Sequence, residues 1–247
     1  MDINIKIEVL FDNYCLDSHL KPGWGYSALV TTLAETILFD TGADGKILMS
    51  NMQAMGVDKD KLGKVFISHY HDDHMGGLMA LLETGIKPVV YLLARFPQKM
   101  IDQIKALTTV VEACEGQSLG EGFFSTGDMG GNMPEHSLLY ENMGFLVLLT
   151  GCAHPGLARI LEKAKSMKDL PLSLVMGGFH YKDKNSEELP AIVDELIQMN
   201  IQKIAPSHCT GDLAISALRE KFGDGFVNSG AGQIISIDRS GKLWAKY

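Results

Sequence analysis

Residues 69 to 74 read His-Tyr-His-Asp-Asp-His, one residue after the apolar Val65, Phe66 and Ile67 and directly before Met75-Gly76-Gly77. Three imidazoles and two carboxylates in so short a stretch suit neither an apolar core nor an ordinary turn unless something binds them. Neutral imidazole and carboxylate are the donors that borderline cations such as zinc prefer. The apolar run reads as a buried strand with the cluster at its end. His69 and His71, two positions apart, then point to one side. Asp73 and His74 follow in the turn that opens a helix, within reach of a second ion beside the first. A lone His-x-His is a common surface pattern of no meaning; the full string between an apolar strand and a Gly-Gly-led helix is much harder to obtain by chance.

The 247 residues suffice for a sizeable core and are read as one domain spanning 1–247. The formal net charge of -8, with no Lys/Arg-rich run, argues against a nucleic-acid-binding face and leaves room for a local basic pocket for a phosphate. Cys15, Cys114, Cys152 and Cys209 are scattered with no Cys-x-x-Cys pair, so a zinc ribbon is not expected. No basic-then-apolar leader and no bilayer-length apolar run is present, which predicts a reduced, cytoplasmic protein without membrane partners.

Along the chain, Ile3, Ile5, Ile7 and Val9 alternate with polar neighbours, the period of a strand. Ser27 to Thr32 and Thr36 to Phe39 are further short strands. Ile47, Leu48, Met52 and Met55 fall at helical spacing, with Gly56 as the stop. Val65 to Ser68 and Val89 to Leu93 read as strands around a helix over Leu78 to Leu82. Val110 to Tyr140 is Gly-rich, a region of strands and loops without a legible register. Strands over Phe145 to Leu149, Leu172 to Met176 and Lys203 to Ala205 then alternate with helices over Leu157 to Met167, Pro190 to Met199 and Leu213 to Phe222. Two short strands close the chain. Two such halves bury their apolar faces as two sheets with helices on the outer faces.

Asp40, the 69–74 cluster, His154 and His208 each end an apolar strand, and His180 ends a fifth. A catalytic zinc typically takes three protein ligands and keeps a position for water. The arithmetic works with His69, His71 and His154 on one ion and Asp73, His74 and His208 on the other. A hydroxide shared between ions about 3.5–4 Å apart is then the nucleophile. Asp73 is assigned to the catalytic set as well as to the second ion, and Asp72 is read as a solvated or loop-stabilising residue.

The string Phe39-Asp40-Thr41-Gly42, then Ser68-His69-Tyr70-His71-Asp72-Asp73-His74-Met75-Gly76-Gly77, then late single histidines, resembles the metallo-β-lactamase-fold superfamily across nearly the whole chain. The resemblance implies an α/β fold, a four-layer αβ/βα sandwich with a metal site on one edge. It implies two divalent transition-metal ions, zinc first and iron or manganese as alternatives. It also implies that Asp40 orients a ligand histidine by hydrogen bonding. Thr150-Gly151-Cys152-Ala153-His154-Pro155-Gly156, Gly177-Gly178-Phe179-His180 and Ser207-His208-Cys209-Thr210-Gly211 resemble the branch of 7,8-dihydropterin-6-yl-methyl-4-(β-D-ribofuranosyl)aminobenzene 5'-phosphate synthase-like proteins. That branch implies a small-molecule substrate bearing a phosphate or a pterin.

One departure matters. Many members carry a metal-bridging Asp in a Gly-Asp pair where this chain has Gly151-Cys152. Either Cys152 stands in as a thiolate, or His154 takes over, or the second ion is held loosely; His136 is the reserve third histidine. His180 either caps its strand or contacts substrate and transfers a proton, the role preferred here. His19, Trp24 and Tyr26 form a pocket wall for a flat ring or a packed hairpin turn, and Cys209 is read as core. The functional expectation is a metal-dependent hydrolase that uses metal-bound hydroxide on a small phosphorylated or ester-type substrate. The alternatives are a synthase-type transferase on a pterin-like substrate and a non-catalytic metal-binding or ligand-sensing module.

Overall fold

A computed structural model describes residues 3–142 and 144–246. Strands β1 (Ile3–Asp12), β2 (Tyr26–Thr31), β3 (Thr36–Phe39), β4 (Lys64–Phe66), β5 (Val89–Leu92) and β6 (Val110–Glu112) join β13 (Ile234–Asp238) and β14 (Leu243–Lys246) in an eight-stranded sheet, ordered β14-β13-β1-β2-β3-β4-β5-β6. Strands β7 (Ser118–Gly120), β8 (Phe123–Ser125), β9 (Leu138–Asn142), β10 (Phe145–Thr150), β11 (Leu172–Gly178) and β12 (Ile204–Ser207) form a six-stranded sheet, ordered β12-β11-β10-β9-β8-β7. The helices are α1 (Gly45–Ala54), α2 (Asp72–Met75), α3 (Leu78–Leu82), α4 (Gln98–Lys105), α5 (Leu157–Met167), α6 (Leu189–Gln198) and α7 (Asp212–Phe222).

Side-chain alternation builds the layers. Phe145, Val147 and Leu149 of β10 join Ile5, Ile7, Val9, Phe39 and Phe66 of the other sheet in a core between the sheets. Leu146 and Leu148 of the same strand face Leu157, Ile160 and Leu161 of α5 and Val193 and Leu196 of α6. On the far side, Leu38, Val65 and Val90 meet Leu48, Met52, Leu78, Leu81, Ile101 and Ile104 of the helices. Strands covered on both faces are apolar throughout, which is why β10 reads as an unbroken apolar run. The result is the expected αβ/βα sandwich.

Most boundaries fall where the residues place them. Asp44 caps α1, its Oδ1 accepting from the N–H groups of Lys46 and Ile47, and Gly56 follows the helix at φ 69°. Strands β11 and β12 run two residues past their expected ends, to Gly178 and Ser207, and β4 stops short. Strand β4 ends at Phe66 rather than at Ser68, because the Ser68 N–H bonds the Asp40 carboxylate instead of a neighbouring strand. Strands β3 through β6 run parallel, as do β10, β11 and β12, so the carboxyl ends of both groups lie at one edge of the sandwich. Such strand ends are where α/β sheets place their ligands.

Candidate metal centre

Asp40 follows β3, the 69–74 cluster follows β4, residues 151–154 follow β10, His180 follows β11 and His208 follows β12. Asp40, Ala153, His180 and His208 all adopt left-handed backbone, at φ 53°, 58°, 56° and 51°. Non-glycine residues there are uncommon and each costs about 1–3 kcal/mol, which is characteristic of functional sites. Close packing enforces the arrangement: a Cβ at Gly151 would lie 2.1 Å from Ser68 Oγ and 3.0 Å from His69 Nδ1.

Two donor groups result. His69, His71 and His154 form one, and Asp73, His74, Cys152 and His208 form the other, with donor atoms inside each group within 4.8 Å of one another. His69 Nε2 lies 3.0 Å from His71 Nδ1. His74 Nε2 lies 3.2 Å from both His208 Nε2 and Cys152 Sγ. Asp73 Oδ2 is 3.2 Å from His208 Nε2 and 3.7 Å from His74 Nε2. Donors at 2.0–2.1 Å in a tetrahedron stand about 3.3 Å apart, so this is the spacing that a cation requires.

Hydrogen bonds behind the cluster fix which nitrogen faces it. The Asp40 carboxylate accepts from the Ser68 N–H at 2.7 Å, from the Ser68 hydroxyl at 2.7 Å and from His74 Nδ1–H at 2.7 Å. With its proton given to Asp40, the Ser68 hydroxyl accepts from His69 Nδ1–H at 2.9 Å. His208 Nδ1–H donates to Asn13 Oδ1 at 3.0 Å. The Nε2 atoms of His69, His74 and His208 therefore carry lone pairs directed into the cluster. Between His74 and His208 these lone pairs repel unless a proton or a metal ion lies between them. Asp73 and Cys152 converge on the same point, more donors than a proton needs. His154 Nε2 is buried without a hydrogen-bond partner among the described residues, as a metal-directed nitrogen would be. The donor set thus fits borderline divalent cations.

The electrostatics agree. Burial holds His69 and His71 below the usual imidazole value, and burial with the His180 and His71 rings beside it brings His154 down to about 4. All three are neutral, ligand-competent rings at neutral pH. Burial acts against charge on His74, but the Asp40 carboxylate outweighs it and raises the ring. Burial pushes Asp73 upward, and the imidazoles of His208 and His74 overcome this, holding it well below the usual carboxylate range.

His136 is not part of the site. Its Nε2–H donates to the Ile67 carbonyl at 2.7 Å, its Nδ1 accepts from Ser125 Oγ at 2.8 Å, and its ring stacks on Phe66 at 4.0 Å. Both nitrogens are consumed, and His154 occupies the third place. Cys152 is inside the cluster, where the missing carboxylate was expected. His180 lies at the rim, its ring 4.4 Å from that of His154. Cys209 is buried, as the sequence reading expected, and its Sγ also lies within 4.8 Å of donor atoms of His180 and Cys152 beside the cleft. The aromatic wall reduces to Trp24, half exposed and 4.9 Å from the His208 ring; Tyr26 is buried between the sheets and His19 pairs outside with Asp17. A cleft of ≈ 380 Å³ opens over the donor groups, and Lys182 is the lysine on its wall, Nζ 5.0 Å from the Trp24 ring centre.

Sequence reasoning missed Asn13 and Glu135. Glu135 is fully buried, and its carboxylate accepts the backbone N–H groups of Gly151, Cys152, Ala153 and His154 at 2.8–3.1 Å. Burial raises its carboxyl to about 7, against the pull of these N–H groups and of His74.

This geometry is that of a known fold. The profile of the metallo-beta-lactamase superfamily matches residues 21–99, which hold the Asp40 and 69–74 motifs. The structure resembles that of Tm1679, described as a metal-dependent hydrolase of the beta-lactamase superfamily, with TM-score 0.81 and 23% identity over 95% of this chain and 100% of that one. It also resembles a diphosphatase from the PhnP family, with TM-score 0.61 and 12% identity over 94% and 97% of the two chains. The chain has the metallo-β-lactamase fold. In sequence it is 25% identical to a 7,8-dihydropterin-6-methyl-4-(beta-D-ribofuranosyl)-aminobenzene-5'-phosphate synthase of Methanocaldococcus jannaschii, covering 95% of this chain and 97% of the relative. Among the described residues no helix is long and apolar enough to cross a membrane.

Proposed function

We propose that this protein is a metal-dependent hydrolase of a small phosphorylated or ester-type substrate, with two divalent cations as cofactors. The observation that carries the reading is the pair of facing Nε2 lone pairs on His74 and His208, 3.2 Å apart, with Asp73 and Cys152 at the same point. His69, His71 and His154 would hold one ion, and Asp73, His74 and His208 with Cys152 the other. The nitrogen and sulfur donors favour zinc over manganese. When bound, such ions supply an activated water near neutral pH and positive charge for a carbonyl or phosphoryl oxygen.

The chain's own residues do the rest. Asp40, Ser68 and Asn13 hold the imidazole protons on Nδ1, so that each Nε2 stays available. Asp73, which lines the cleft, would be a ligand of the second ion. His180, whose ring is raised by its hydrogen bond to Cys209 against the effect of burial, stands at the rim as the proton donor to a leaving group. Lys182 offers a cation to an anionic substituent, and Trp24 offers an exposed ring face to a flat one. A phosphate on an aromatic or pterin-like group suits both. The free thiols suit a reducing compartment such as the cytoplasm.

The test is hydrolysis of bis-p-nitrophenyl phosphate and of p-nitrophenyl esters. Activity that disappears on chelation, returns with zinc and is lost in His71→Ala supports the reading, and full activity in metal-free protein contradicts it. A second reading, condensation on a pterin-like substrate, rests on the methanogen relative that spans 95% of the chain. Mass spectrometry of products from phosphoribosyl and aminobenzoate-type substrates separates the two.

A further inference from the structure

Glu135 carries a carboxyl group into a region with no exposure, and no described Lys or Arg pairs with it. Burying an unpaired charge is costly unless hydrogen bonds replace its water. Four consecutive amides do so here. Oε1 accepts from Gly151 at 3.1 Å, Cys152 at 3.0 Å and Ala153 at 2.9 Å, and Oε2 accepts from His154 at 2.8 Å. The amides converge because Ala153 takes left-handed backbone, which turns successive N–H groups to one side as in an anion-binding nest. The nest is filled by the protein's own side chain.

The same residue is tied to the other half of the site. Its backbone forms an isolated antiparallel bridge with His69, and the next N–H, that of His136, donates to the Ser68 carbonyl at 3.0 Å. Glu135 therefore sits between the segment that carries His69 and the loop that carries Cys152 and His154. Two of the three contributors to the first donor group, His69 and His154, are thus referenced to one carboxylate.

We propose that Glu135 is a positioning residue for the first cation: it sets His154 against His69 and His71 through the backbone of residues 151–154, without touching the ion. The inference rests on the two-cation reading above. The two carboxylate oxygens have unequal loads, and this makes the role selective. A Gln side chain has one acceptor oxygen. If that oxygen keeps the three amides of residues 151–153, its NH2 group faces the His154 N–H, donor against donor. The reverse orientation loses three bonds instead of one. Glu135→Gln therefore holds Cys152 in place and releases His154.

The experiment is competitive zinc titration of the full chain against a chromophoric chelator, repeated with cobalt to read the sulfur-to-metal charge-transfer band of Cys152. Wild type is expected to bind two ions. Glu135→Gln is expected to keep one at wild-type affinity with its sulfur band and to weaken the other at least tenfold, as His154→Ala does. Glu135→Asp, which keeps the charge but falls short of the four amides, carries the same test should the Gln variant fail to fold. Both ions retained at wild-type affinity in Glu135→Gln or Glu135→Asp, equal weakening of both in Glu135→Gln, or two unweakened ions in His154→Ala overturns the inference. A wild-type protein that binds no cation refutes the two-cation reading itself, a different result from wild-type binding that the Glu135 variants leave untouched.

Discussion

Asp40 Oδ2 receives the Nδ1 proton of His74 at 2.7 Å, and the Ser68 hydroxyl that donates to the same oxygen passes the constraint on to His69. One carboxylate thus sets the tautomer of a donor in each group. Asp40→Ala should lower affinity for both cations, by about 10–100-fold as is usual when such partners are lost. Zinc titration checks this, and Ser68→Ala should weaken only the ion bound by His69.

Cys152 stands where a bridging carboxylate was expected, its Sγ 3.2 Å from His74 Nε2. The cobalt-loaded protein should show a sulfur-to-metal charge-transfer band, absent in Cys152→Ser and present in Cys209→Ser. A band that survives Cys152→Ser would place the sulfur ligand elsewhere.

Lys182 lines the cleft without an ion-pair partner among the described residues, and its backbone N–H is fixed to the Cys209 carbonyl at 3.2 Å. Lys182→Ala should raise KM about tenfold for an aryl ester that carries a carboxylate tail, the equivalent of roughly 1.4 kcal/mol. Its kcat, and both constants for the neutral ester, should stay within about twofold.

His136 gives a pH dependence separate from the cations. Burial depresses its ring from 6.5 to about 4, while its bond to the Ile67 carbonyl acts the other way. The folded value lies below the unfolded one, so as pH falls the unfolded chain takes up the proton first. The stability contribution is full above about pH 6.5 and is lost as pH falls to about 4, on the order of 3 kcal/mol in total. Urea denaturation of metal-stripped protein should show this acid loss in wild type and a flatter profile in His136→Gln across that window.

The sequence pattern made much of this legible. Period-2 alternation in Ile3 to Val9 and helical spacing in Leu157 to Met167 report burial on one face, and both elements stand where the pattern puts them. Helix α4 carries a helical spacing too, Met100, Ile101, Ile104 and Leu107 all packing on the helix-side core, but at eight residues the pattern is short enough to pass for a loop. The region from Val110 to Tyr140 stayed obscure because β6, β7 and β8 are three residues each, too short to alternate. In the site, His69 to His74 were legible because they are adjacent. His154 and His208 could be proposed from their strand ends. Asn13 and Glu135 could not, since each acts through a contact formed only by folding, 195 residues away for Asn13 with His208. His136, a histidine before a strand, looked like a donor until its two nitrogens were seen bonded to Ile67 and Ser125.

Anomalous diffraction from zinc-loaded crystals tests the central claim most directly. Two peaks are expected, one among His69, His71 and His154 and one among Asp73, His74, Cys152 and His208. Crystals with no anomalous peak at the edge of the sandwich, or with zinc bound away from the strand ends, would contradict it.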